Sequence, residues 1–138
     1  MNKLIPAFCF IMTLSPVLSQ AEIAVIVNKN NSVTINAEEI KGIFLGKINT
    51  FPNGLEAIPL VQKSKTPIAN EFTKKVLKKT YSQVQAYWSK LVFTGQGTSP
   101  KELSNNKKVI SIVSSNLNTI GYINAKDIPD NVRVIHKF

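Results

Sequence analysis

The chain has 138 residues, with 17 Lys+Arg against 8 Asp+Glu, a formal net charge of +9, one cysteine and one histidine. One cysteine cannot make a disulfide scaffold and one histidine leaves a Cys/His metal site without donors, so stability must come from packing, and no metal or other cofactor is expected. The positive balance favours anionic ligands, anionic membrane surfaces or nucleic acid, alongside the plainer reading of a basic exported protein.

Asn2 and Lys3 precede an apolar run over residues 4–18, and Ser19-Gln20-Ala21 supplies small residues where a signal peptidase cuts. A secretory signal peptide over residues 1–21 is therefore expected, cleaved after Ala21, with the remainder periplasmic or secreted. A membrane anchor is the competing reading. The run carries Pro6 and Pro16, is shorter than the roughly 20 residues a spanning helix needs, and has no second apolar segment behind it. Cys9 lies inside the run and not at its end, which does not fit a lipoprotein acceptor, so it leaves with the leader. What remains, residues 22–138, keeps 16 Lys+Arg and 8 Asp+Glu for a net charge of +8, has no transmembrane segment, and is long enough for one domain but too short for two.

Residues 23–27 (IAVIV) are apolar without alternation, which suits a strand covered on both faces, as in a mainly parallel sheet. After a polar loop, Asn36 with Glu39 three residues on reads as a capping box, and Ile40, Ile43 and Phe44 form the buried stripe of the helix it opens, stopped by Gly46. The Pro52-Asn53-Gly54 turn leads to a strand over 57–61. A polar loop follows, Gln62-Lys63-Ser64-Lys65-Thr66, and Thr66-Pro67 is the N-cap and first-turn pair of a second helix. That helix turns Ile68, Phe72 and Val76 inward and leaves Lys74 and Lys78 in solvent. A third helix over 81–93 buries Val84, Trp88 and Leu91, with Tyr87 and Trp88 read as packing.

Residues 94–98 (TGQGT) form an N–H-rich loop that lacks the third glycine and the preceding strand of a nucleotide fingerprint. Ser99-Pro100-Lys101-Glu102 reads as a capping box opening a fourth helix with Leu103, Val109, Ile110 and Val113 inside, and hence as a second anion contact. A strand over 118–124 and an edge strand over 132–135, with Arg133 and Lys137 pointing outward, close an α/β domain with a mainly parallel or mixed sheet flanked by helices.

Five segments taken in order carry a family resemblance. They are VIVN at 25–28, IFLGK at 43–47 with the P-N-G turn after it, the helix-opening loop before Phe72, YWSKLVFTGQG at 87–97, and IGYI at 120–123. In these the chain resembles the phosphate ABC transporter substrate-binding proteins, in particular short members that look like one lobe of the usual two. The resemblance implies a type II periplasmic-binding-protein lobe that holds phosphate or a related oxyanion, without chemistry, through a strand-to-helix loop. Its partner would be an ABC permease or another envelope protein. Three departures stand out: Gln62 at the family's arginine position, Lys65 at its glycine, and Phe51 at its tryptophan. Without the arginine the bidentate fork that suits phosphate is missing.

The oxyanion reading assigns Lys63 and Lys65 as point charges, the Ser64 and Thr66 hydroxyls as hydrogen-bonding groups, and Gln62 in place of the arginine. The alternative is an envelope interaction module in which the same loop is a capped helix start with solvated lysines. An enzyme is not expected, because no carboxylate pair sits near a nucleophile and the sole histidine, His136, is read as an exposed terminal residue. Nucleic-acid binding has charge alone behind it and is set aside.

Overall fold

A computed structural model of the chain describes residues 4, 6, 9–15 and 22–138. The expected cleavage site, Ser19-Gln20-Ala21, lies outside the described residues, as does much of the leader before it. No described helix is long and apolar enough to cross a membrane.

The elements run β1 (Ile23–Asn28), α1 (Ala37–Phe44), β2 (Ile58–Gln62), α2 (Pro67–Lys75), α3 (Tyr81–Phe93), β3 (Lys101–Leu103), α4 (Asn106–Ser115), β4 (Thr119–Asn124), a 3-10 turn (Ala125–Asp127) and β5 (Val132–Lys137). The strands make one sheet in the order β3-β2-β4-β1-β5. It is mixed: β2 pairs in parallel with β3 and β4, and β1 pairs antiparallel with both β4 and β5. The unbroken apolar run of β1 therefore reflects a central strand with helices on both faces and does not report parallel pairing. All six of its residues are buried.

Alternation along the strands sorts the core into two halves. Val25, Val27, Ile120 and Tyr122 face α1 and α2. Ala24, Ile26, Leu60 and Ile123 face α4. On the first face Phe72 stacks on Tyr122, with ring centroids 3.8 Å apart and 7° between planes, and Phe44 meets Phe72 edge-on at 4.7 Å. Burying each ring contributes roughly 1.5–3 kcal/mol, and each aromatic pair about 0.5–1.5 kcal/mol more. On the second face Gly121 lets α4 come close, because a Cβ there would stand 2.5 Å from a Val109 methyl.

The caps follow the local sequence. Asn36 and Glu39 form the reciprocal capping box of α1, and Gly46 takes φ +71 just past its end. Buried Asn28 donates its amide to the Val113 and Ser114 carbonyls, so the end of β1 satisfies the C-terminal end of α4.

Three expectations are corrected. The segment 99–102 opens no helix: Lys101–Leu103 is a strand that covers the free edge of β2, with Lys63 N–H donating to Leu103 O at 2.9 Å. Helix α4 starts later, at an Asn105 cap that accepts from Lys108 N–H, so the second anion contact at 99–102 loses its helix N-terminus. The local capping signal at Ser99 yields because an uncovered strand edge leaves a whole row of backbone groups unpaired. Arg133 does not point into solvent; its guanidinium donates to the Asn31 and Val33 carbonyls at 2.9 and 2.8 Å and ties the loop after β1 to β5. His136 is half-buried, pairs opposite Val25 and meets the Phe138 ring edge-on, because β5 continues to Lys137.

Candidate functional site

Strand β2 ends one residue later than its apolar run implies, and that residue is Gln62. It is buried, and its amide donates to Asn106 Oδ1 at 2.7 Å and to the Tyr122 carbonyl at 3.0 Å, while its backbone N–H donates to the Tyr122 hydroxyl at 2.9 Å. Asn106, the first residue of α4, passes the chain on to Asp127 at 2.9 Å. The Gln62 side chain is thus committed to joining the end of β2 to the start of α4.

The turn that follows is tight. Lys65 has φ +70, a left-handed conformation that costs a residue with a Cβ about 1–2 kcal/mol and glycine nothing. The turn therefore holds a lysine in a conformation that glycine adopts without cost. The Thr66 hydroxyl donates to the Lys63 carbonyl at 2.8 Å and accepts from Ala69 N–H at 3.3 Å, which caps α2. The N–H groups of Ser64, Lys65 and Ile68 make no hydrogen bond among the described residues. Lys63 and Lys65 are exposed and form no ion pair among them.

Behind this turn lies a half-open cavity of about 450 Å³ between the sheet and helices α2 and α3. Phe72, Tyr122, Val84 and Trp88 supply its apolar wall, and Ser64 reaches it from the turn. Burial pushes the Tyr122 hydroxyl above the ordinary tyrosine range; the nearby Glu102 carboxylate adds to the rise and the Gln62 N–H opposes it. Of the predicted site residues, Gln62 and Ser64 border the cavity, whereas Lys63, Lys65 and Thr66 stand on the rim of the turn outside it.

Trp88 is buried, as packing logic expects, against Gly46 and Gly97, and Tyr87 hydroxyl donates to the Leu45 carbonyl, which fixes α3 to the end of α1. Sequence reading missed Tyr122, Asn106 and Glu102 as parts of this region. Tyr122 sits in a strand read only for its apolar content, and Glu102 was assigned to a helix cap. Among the described residues no cluster of three or more His, Cys, Asp or Glu side chains could hold a metal ion.

No protein-family model and no curated protein matches the chain. Solved structures do. An ABC-type phosphate transport receptor from Vibrio cholerae superposes with a TM-score of 0.65 at 17% identity, over 86% of this chain and 47% of that one. A putative phosphate ABC transporter substrate-binding protein from Clostridium perfringens, with bound phosphate, gives 0.66 at 21%, over 86% and 46%. PstS from Borrelia burgdorferi gives 0.55 at 19%, over 76% and 42%. The chain shares their fold. It spans less than half of their length.

Proposed function

We propose that the chain is an exported, non-enzymatic binding protein that holds phosphate or a related oxyanion at the turn 63–66, in association with ABC-type uptake. The observation that carries this reading is the turn itself. On a fold shared with phosphate-binding proteins, it presents the N–H groups of Ser64, Lys65 and Ile68 at a capped helix start beside the Lys63 and Lys65 side chains, none of them with a partner among the described residues. Turns of this kind, with a left-handed residue among successive N–H groups, are concave toward anions, and the helix start adds its positive end. Lys63 and Lys65 supply point charges, and Ser64 supplies a hydroxyl. Thr66, its proton already given to Lys63 O, acts by holding the turn, and Gln62 acts by anchoring the strand beneath it. A leader ending at Ala21 would deliver the domain to the periplasm.

Without a bidentate fork, phosphate is expected to bind this lobe by itself on the order of 0.1–1 mM, equivalent to about 4–5.5 kcal/mol, and more weakly as salt rises. Calorimetry at low ionic strength tests this. Lys63→Gln with Lys65→Gln should abolish the signal, while Thr66→Val should weaken it and lower stability by about 1 kcal/mol through loss of the cap. A wild type with no saturable phosphate or sulfate heat would leave the second reading, an envelope interaction module. One observation favours that reading: Val92 and Phe93 at the end of α3 are 51% and 93% exposed.

A further inference from the structure

The cavity behind the turn has a chemistry different from that of the turn. Among the described residues no Lys or Arg side chain lines it, and the one ionic lining group is the carboxylate of Glu102, exposed on β3. Its walls are aromatic, with Phe72, Tyr81, Trp88 and Tyr122 all contributing. Much of its donor capacity is already used inside the protein. The Gln62 amide goes to Asn106 and Tyr122, the Thr73 hydroxyl donates to the Asn70 carbonyl, and the Gln85 amide donates to the Tyr81 hydroxyl at 2.6 Å. A void with π faces and a carboxylate favours an organic cation over an anion, because ring faces and a carboxylate both stabilise positive charge.

We infer that this cavity is a second binding site, behind the turn and bordered by its Ser64, for a small organic cation whose ammonium or amidinium group meets Glu102 and whose apolar body lies along Val84 and Trp88. A volume of about 450 Å³ is within the range of small-molecule sites. The Tyr122 hydroxyl stays protonated here because of its burial, and so adds no second negative charge to the pocket. The site does not depend on phosphate binding at the turn.

Trp88 is the only tryptophan of the chain, so its fluorescence reports this cavity directly. The test titrates the purified chain with benzamidine, benzamide and benzoate, which share a ring and differ in charge. Benzamidine should produce a saturable change, with the neutral and anionic probes at least about fivefold weaker. Glu102→Gln, a change at an exposed edge position, should bring benzamidine down to the affinity of benzamide, and Val84→Phe, which fills the cavity, should remove the response to all three. The Lys63→Gln/Lys65→Gln variant should bind benzamidine within about twofold of the wild type while losing phosphate, which separates failure of this site from failure of the turn. Equal binding of the three probes, a preference for benzoate, no benzamidine response, or an unchanged affinity in Glu102→Gln or Val84→Phe would each overturn the assignment.

Discussion

Replacing Gln62 with leucine tests whether this residue works as a strut between β2, β4 and α4. The wild-type amide satisfies a buried carbonyl at Tyr122 and the Asn106 side chain, which is only half-buried and can recruit water when its donor is lost. Leaving the buried acceptor unpaired costs roughly 1–3 kcal/mol, and losing the second bond about 0.5–1.5 kcal/mol, with part returned by leucine's apolar surface. We expect a net loss of about 2–3 kcal/mol, or roughly 10 °C in Tm for a domain of this size. Asn106→Ala should cost about 1 kcal/mol, since Gln62 keeps its bond to the Tyr122 carbonyl. The two changes remove the same Gln62–Asn106 bond, so urea denaturation of the single and double variants should show a coupling of about 1 kcal/mol. Strict additivity would refute the strut, as would a Gln62→Leu chain as stable as the wild type.

Two further outcomes follow from the packing. Gly121→Ala places a methyl 2.5 Å from Val109 Cγ1, and should destabilise by about 1–3 kcal/mol; Val109→Ala in the same chain should recover part of that, read as a double variant less damaged than the sum of the single ones. Tyr122 has its folded-state value raised, so the unfolded chain gives up this proton first as pH climbs, and stability that is complete below the ordinary tyrosine value near 10 falls above it. Tyr122→Phe keeps the stack on Phe72, gives up the bond from Gln62 N–H, and should flatten the pH dependence above about pH 10 by the contribution of one proton, measured by denaturant midpoints from pH 8 to 11.

What the sequence shows of the fold is what short-range physics encodes. The Asn36–Glu39 box, the Thr66-Pro67 start and the Phe72 stripe are each specified within a few residues, and the structure places them where the pattern does. Ser99-Pro100-Lys101-Glu102 carries an equally good local signal and becomes a strand, because the free edge of β2, some 40 residues earlier, sets the need there and no window around Ser99 contains it. The same distance hides the strut. Gln62 meets Asn106 across 44 residues and Tyr122 across 60, so nothing in the residues beside the glutamine shows what it bonds to.

That hidden connection changes what the missing arginine means. In sequence, Gln62 looks like a weakened anion ligand. In the fold it is the point where β2, β4 and α4 are tied together, buried to 4% exposure with its donors spent. An arginine there would bring a charge into a site where Asp127 is held at one remove through Asn106 and Glu102 stands on the neighbouring strand opposite Val61. Ion burial is costly unless the partner is in direct contact, so an arginine at this position would lose the Gln62–Asn106 bond and need a carboxylate brought against it. Any charge offered to an oxyanion must then come from Lys63 and Lys65, on the outer side of the turn. These side chains are solvated and flexible, and an anion they hold is screened by salt in a way that one gripped by a buried fork would not be. The steepness of the salt dependence of phosphate binding is therefore the measurement that tells a site carried by this turn from one carried by the interior of the lobe.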